Sequence, residues 1–147
     1  MTTDKSVNLA EIPTWECHQL LEGREIGRIC VIDHGYPVAV PISYRILGLG
    51  ASPYIVIRTA PDTMVARHRG FATLEVDHIL EAEHTAWSIL VRGTLQKIDG
   101  PHDLPDPQPW VTENRHQWMT LDVTAITGRR FVPSKRHDGF SVEWQFG

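Results

Sequence analysis

An arginine and a threonine stand together where a predicted strand ends. The stretch YIVIRTAPDTMVARHRG, residues 54–70, begins as an apolar strand, reaches Arg58 and Thr59, and then turns at Ala60. A guanidinium group offers a planar fork of donors that matches a phosphate or a carboxylate, and a threonine hydroxyl adds one more donor. A short basic helix is predicted from Pro61 onward, and the unpaired N–H groups of its first turn favour an anion. The pattern therefore predicts an anion site at the end of this strand.

Arg58 and Thr59 also have a purely structural explanation. Arg58 could form a surface ion pair with Asp62 or Glu75, and Thr59 could cap the helix that follows. Asp62 lies in the same turn and works against an anion there. Both interpretations stay open from these residues alone.

Trp87 and Ser88 form a second notable pair, on another predicted strand. An indole can cover a flat aromatic ligand and a serine can hydrogen-bond one, although a tryptophan in a strand more often packs in a core or an interface. The chain has five tryptophans. Because tryptophan is enriched at interfaces, this number favours a dimer.

The eight histidines do not fall at recognised metal-ligand spacings, so no metal site is predicted. No nucleophile motif is visible, and nothing marks Cys17 or Cys30 as activated. We therefore assign no catalytic residue, and any catalysis would have to depend on a cofactor.

Length and composition restrict the class of protein. The 147 residues fit one domain, 1–147, and 41% apolar with 22% charged residues is ordinary for a soluble globular protein. A net charge of −4 without a basic block gives no reason to expect a nucleic-acid partner. No apolar run is long enough for a membrane span or a signal peptide, so a cytoplasmic protein with reduced cysteines is expected.

The hydrophobic pattern predicts about six strands and two short helices. A helix is expected over residues 14–23, and strands joined by short turns follow, with a turn at DHGYP and a bend at Gly93. Pro41, inside one strand, predicts an edge position or a bulge. Strands joined mainly by short turns favour an all-β fold in which an antiparallel sheet closes into a small barrel. Residues 1–12 are expected to be a loosely held lead-in and residues 132–147 a tail.

In their order and spacing, five segments resemble the pyridoxamine 5′-phosphate oxidase-like family of flavin-binding split barrels. The segments are ECHQLLEGREIGRICV, PVAVPISYRI, IVIRTAPDTM, AWSILVRGTLQ and ITGRRF. The resemblance extends from about Glu11 to Phe131. It implies a six-stranded antiparallel split barrel of the FMN-binding type, forming a homodimer with two FMN molecules in clefts between the subunits.

The resemblance also implies a set of cofactor-binding residues. Arg58 and Thr59 would hold the phosphate, with Ala60 in the adjoining turn, while Trp87 and Ser88 would approach the flavin from the second subunit. The strand whose backbone lines the isoalloxazine ring would comprise Val40, Pro41, Ile42 and Ser43.

Met64 would stand beside the phosphate, where many relatives have a lysine that contacts it. A charged hydrogen bond contributes roughly 1.5–3 kcal/mol, so its absence would weaken cofactor binding about ten- to a hundredfold unless Arg67 or Arg69 compensates. The expected function is that of an FMN-dependent oxidoreductase acting on a small organic substrate. Two alternatives stay open: a non-catalytic flavin- or haem-binding protein, and a reductase that uses a deazaflavin coenzyme instead of FMN.

Overall fold

The computed structural model describes residues 7–100, 103–110 and 116–133. Seven strands, two short α-helices and one 3-10 turn follow one another along this part of the chain. Their order and bounds are β1 (Val7–Ile12), α1 (Thr14–Glu22), β2 (Ile26–Asp33), β3 (Tyr36–Leu47), β4 (Tyr54–Thr59), α2 (Met64–Arg67), β5 (Gly70–Leu80), the 3-10 turn (Glu81–Glu83), β6 (Thr85–Ile98) and β7 (Gln117–Pro133). No helix within the described ranges has the length and apolarity of a membrane span.

Six of the strands close into a barrel. The sheet runs β7-β4-β3-β2-β5-β6, and β6 pairs with β7 again, so that the ring closes with every pair antiparallel. Closure removes the open edges that a flat sheet of this size would expose. The predicted all-β class and the six-stranded antiparallel split barrel are confirmed.

The long strand β7 accounts for the split in the barrel. One of its edges pairs with β6 from Trp118 to Phe131. The other edge is shared, because residues 117–122 pair with β4 and residues 128–133 pair with β1. The expectation of a loosely held lead-in over residues 1–12 is therefore wrong for Val7–Ile12, which form a paired strand.

The barrel interior holds one apolar core. Alternate residues of each strand point inward, as the two-residue period of a strand requires. Helix α1 covers one end of the barrel through Cys17 and Leu21, and the buried Tyr44 hydroxyl donates to the Leu21 carbonyl oxygen at 2.6 Å. The fully buried side chains include Ile29, Ile55, Ile57, Leu74, Ile89, Leu95, Met119 and Leu121.

Local signals account for several connections. The β2–β3 hairpin turns at His34 and Gly35, both with positive φ, as a two-residue hairpin loop requires. Strand β6 has the expected irregularity, a register shift between Arg92 and Gly93.

The second helix is shorter than the sequence suggests. It begins at Met64, not at Pro61, and ends at Arg67. Thr63 is its N-cap, since the Thr63 hydroxyl accepts from the backbone N–H of Ala66 at 3.2 Å. The predicted tail starts later as well, because β7 continues to Pro133; residues 134–147 lie outside the described residues.

Candidate functional site

A cavity opens where β3 and β4 separate. The two strands pair only from Tyr44 to Leu47 on β3, so the preceding half of β3 has β2 on one side and none of the described strands on the other. Pro41 lies in this half, in regular register opposite Arg28. This is the edge position that the proline predicts, since a proline there removes no ladder hydrogen bond. The free edge of β3 forms one wall of the cavity.

The cavity has a volume of about 560 Å³ and combines apolar walls with a few polar groups. Apolar lining of this kind with convergent polar groups is typical of small-molecule sites. Three walls contribute: β2 and β3, the end of β4 with α2, and the proline-rich segment of residues 103–110. The lining residues are Ile26, Val40, Pro41, Ile42, Ser43, Arg58, Thr59, Asp62, Thr63, Met64, Val65, Arg67, Pro109 and Trp110.

Arg58 is held at the end of β4 between an aromatic ring and a carboxylate. Its guanidinium carbon lies 5.1 Å from the centre of the Trp118 ring. Its Nη1 donates to both carboxylate oxygens of Asp106, at 2.8 and 2.9 Å. The sequence suggested Asp62 or Glu75 as the surface partner of Arg58, whereas the carboxylate that pairs with Arg58 in the structure is that of Asp106. Asp106 comes from the proline-rich segment that also lines the cavity. Arg58 therefore already binds an anionic oxygen pair beside the cavity.

Asp106 is ionised at neutral pH in this setting. Partial burial raises the pKa of its carboxyl. The Gln108 backbone N–H and the Arg58 guanidinium stabilise the carboxylate and lower the pKa by more, so that it lies below the ordinary value of 3.8. The contact is thus a charge-assisted one, which is the stronger type of hydrogen bond.

Thr59 uses its hydroxyl inside the protein. The Thr63 hydroxyl donates to the Ala60 carbonyl oxygen at 2.9 Å, so it cannot also donate to Thr59. The 2.8 Å contact between the Thr59 and Thr63 hydroxyls must then be donated by Thr59. A hydroxyl has one proton. The Thr59 side chain therefore has no proton left for a phosphate in this arrangement, and its main effect is to fix the turn that leads to α2.

The charges around the cavity are mixed. Arg67 is the second lining cation; its Nη1 donates to the Asp62 carbonyl oxygen at 2.6 Å, and its Nη2 lies 3.8 Å from the Asp33 carboxylate. Asp62 also lines the cavity. Arg58 is 19% exposed and Arg67 is 58% exposed, so Arg58 is the cation that is least screened by water.

The structure brings seven of the ten sequence-predicted site residues together. They line this cavity together: Val40, Pro41, Ile42, Ser43, Arg58, Thr59 and Met64. Ala60 is buried in the adjoining turn and does not line it. Trp87 and Ser88 lie elsewhere in the protomer; Trp87 pairs with His78 on β5 and packs 5.8 Å from the Arg24 guanidinium carbon. Their predicted approach to a second subunit stays a prediction.

Sequence reasoning missed the contribution of the proline-rich segment. Asp106, Pro109 and Trp110 reach the site through tertiary folding that no local pattern encodes. The one available signal was an acidic residue among prolines, which is too common to identify a partner. Within residues 7–100, 103–110 and 116–133, no cluster of three or more metal-ligating side chains is found.

Comparison with known proteins identifies the family. The model of the pyridoxamine 5′-phosphate oxidase family matches residues 13–130. The chain therefore belongs to that family. The uncharacterized protein Rv0080 of Mycobacterium tuberculosis is 23% identical over 140 residues, covering 87% of this chain and 89% of the relative.

Solved structures share the fold. The FAD binding protein from Mycobacterium smegmatis has a TM-score of 0.62 at 22% identity, covering 84% of this chain and 98% of that one. A FAD-binding protein from Mesorhizobium loti has a TM-score of 0.65 at 18% identity, covering 85% and 98%. At such identities the likeness establishes the split barrel and leaves the ligand to be argued from the site.

The cavity residues fit a flavin nucleotide in two respects. Main-chain groups of the β3 edge that β4 does not pair lie at the wall and suit the polar edge of a flat ring, although Pro41 itself offers no N–H. Arg58 offers a guanidinium at the other side of the same cavity, and its contact with Asp106 demonstrates that an anion can be accommodated there. Met64 adds an apolar, adaptable surface instead of a third cation.

Proposed function

We propose that the protein binds FMN non-covalently in this cavity, with the phosphate at Arg58 and the isoalloxazine ring along the free edge of β3. The observation that carries the proposal is the Arg58 guanidinium, held by Trp118 at the cavity and already engaged with an anion. Membership of the family and the FAD-binding relatives support a flavin. A single well-shielded cation suits one phosphate group, which favours FMN over FAD.

The residues of the chain would bind and orient the cofactor. Backbone groups from Val40 to Ser43 would hydrogen-bond the ring, and the apolar side chains of this stretch would exclude water from it. Bound FMN supplies hydride and electron transfer, chemistry that no side chain here provides. We propose an oxidoreductase acting on a small organic substrate, and we assign no catalytic residue.

A homodimer is part of the proposal. Trp87 and Ser88 are far from the cavity within the protomer but belong to the segment that the family resemblance places against the partner's flavin. Several large apolar side chains are exposed and would be available to a subunit interface. They include Leu9, Trp15, Ile32, Tyr36, Phe71 and Ile79. We also propose that the protein is cytoplasmic.

Met64 favours a second candidate, a protein that binds a flavin without turnover. An apolar side chain beside the phosphate weakens cofactor binding relative to a lysine, which suits a carrier or a sensor. A reductase that uses a deazaflavin coenzyme is the third possibility. A turnover assay separates the oxidoreductase from the protein that only binds a flavin. With FMN bound, only the oxidoreductase would catalyse the transfer of electrons from a hydride donor to an acceptor.

The test is a fluorescence titration with FMN and with riboflavin, which lacks the phosphate. Arg58→Met should raise the Kd for FMN about 10- to 150-fold, because a charged hydrogen bond is worth roughly 1.5–3 kcal/mol. The Kd for riboflavin should stay within about twofold. Lys97→Met is the matched control, since Lys97 is an exposed cation that does not line the cavity.

The contrary result is equally clear. If Arg58→Met weakens FMN and riboflavin to the same extent, or leaves both unchanged, Arg58 does not bind the phosphate and the proposed orientation is wrong. If the wild-type protein binds neither flavin, the titration is repeated with the deazaflavin coenzyme, and saturable binding of that compound alone would replace FMN in the proposal.

A further inference from the structure

The segment of residues 103–110, which we call the proline segment, folds back onto the cavity. Asp106 contacts the Arg58 guanidinium with both carboxylate oxygens, at 2.8 and 2.9 Å. The Gln108 backbone N–H donates to the same carboxylate at 2.9 Å and fixes the local turn. Pro107 is buried, and Pro109 and Trp110 line the cavity. One charged contact therefore joins the proline segment to the predicted phosphate position.

We propose that Asp106 is a specificity-determining residue that occupies the anion position of Arg58 until a phosphate-bearing ligand displaces it. The inference rests on the proposed function for the identity of the ligand, and it adds a competitor from the chain itself. Asp106 would then select for ligands that carry a doubly charged phosphate.

Charge repulsion disfavours two anions sharing Arg58. A phosphate monoester carries about −1.5 to −2 charges at neutral pH, and a carboxylate in contact with the same guanidinium would repel it. Arg58 cannot turn away to serve both, because its guanidinium packs over Trp118 and its side chain is only 19% exposed. Asp106 is 46% exposed, so it is the member of the pair that can move into water.

The exchange of anions explains the selectivity. The more highly charged phosphate forms the stronger contact with Arg58, and it replaces a carboxylate that regains its hydration outside. A ligand with an uncharged tail gains nothing at Arg58 and leaves the ion pair intact. When the Asp106 carboxylate leaves, it also gives up its hydrogen bond from the Gln108 backbone N–H.

The first test compares FMN and riboflavin binding to wild type, Asp106→Asn and Asp103→Asn. Asp103 is the matched control, an exposed acid in the same segment that does not line the cavity. Asp106→Asn should lower the Kd for FMN about two- to fivefold, the range of a partly exposed ion pair. Riboflavin affinity should not change, and Asp103→Asn should behave as wild type. An unchanged or higher Kd for FMN in Asp106→Asn would overturn the proposal.

A second test needs no flavin and separates the two proposals. Amide hydrogen exchange of Gln108 is followed in the ligand-free protein, with inorganic phosphate as the probe and sodium chloride at equal ionic strength as the control. Phosphate should accelerate exchange at Gln108 in the wild-type protein. Arg58→Met should show the same fast exchange without phosphate, and adding phosphate to this variant should have no further effect. Exchange that phosphate leaves unchanged would overturn the role of Asp106. If FMN does not bind while phosphate releases Gln108, the flavin proposal alone fails.

Discussion

Gly128 lies where helix α1 packs against β7, and replacing it tests how tightly that end of the barrel is packed. A Cβ at this position would lie 2.7 Å from the Sγ of Cys17, 3.2 Å from the Cβ of Ile12 and 3.3 Å from the Cγ1 of Ile89. The first distance is shorter than any normal contact, and all three neighbours are buried. Gly128→Ala must therefore displace α1 or distort the side chain of Cys17.

The magnitude follows from two opposing effects. Overpacking a core costs about 1–3 kcal/mol. Alanine in a strand regains roughly 0.5–1 kcal/mol relative to glycine, because glycine loses more backbone entropy on folding. We expect Gly128→Ala to lower the free energy of unfolding by up to about 2.5 kcal/mol. Gly100→Ala is the control: nothing lies within 4 Å of its added Cβ, so its unfolding free energy should stay within about 0.5 kcal/mol of wild type.

A double-mutant cycle with Cys17→Ala assigns the cost to this contact. Urea unfolding of the wild type, the two single variants and the double variant gives the coupling free energy, provided that the m-value is unchanged. Removing Sγ makes room for the new methyl group, so the double variant should be about 1 kcal/mol more stable than the sum of the single effects predicts. Strict additivity, or a Gly128→Ala variant more stable than wild type, would refute the close packing of α1 on β7.

Two further predictions concern the cavity and the outer face of the barrel. Met64→Lys should tighten FMN binding about ten- to a hundredfold without changing riboflavin affinity, because it adds a charged donor beside Arg58; equal gains for both ligands in a fluorescence titration would contradict this. Burial, followed by the hydrogen bond and charge of Asp77, raises the pKa of Glu75 from 4.5 to about 7. The native state then keeps a proton that the unfolded chain releases, so the contribution of Glu75 to stability falls as pH rises from about 4.5 to about 7. Urea midpoints measured across that range should fall less steeply in Glu75→Gln, and an identical slope would show that Glu75 does not titrate this way.

Local sequence signals predicted the parts of the fold that depend on neighbouring residues. The β2–β3 hairpin follows from a turn sequence whose Gly35 tolerates positive φ, and the placement of Arg58 at a strand end follows from the apolar run before it. The edge position of Pro41 follows from its missing N–H.

Long-range pairing explains what the sequence did not reveal. The residues of β1 form a strand because β7 offers a free edge from Gly128 to Pro133, more than a hundred positions later. Gly128 is needed because Cys17 approaches so closely. At the site, Asp106 meets Arg58 through tertiary folding alone, with a sequence separation of 48. No helical or strand period carries information about such contacts.

Equilibrium dialysis against FMN tests the central proposal most directly. The protein is dialysed over a range of FMN concentrations, and bound flavin per subunit is read from its absorbance. Saturation at one FMN per subunit, with riboflavin binding more weakly, is the result that a phosphate-binding Arg58 predicts. A flavin concentration in the protein chamber that never exceeds the concentration in the protein-free chamber would contradict a flavin site in this cavity.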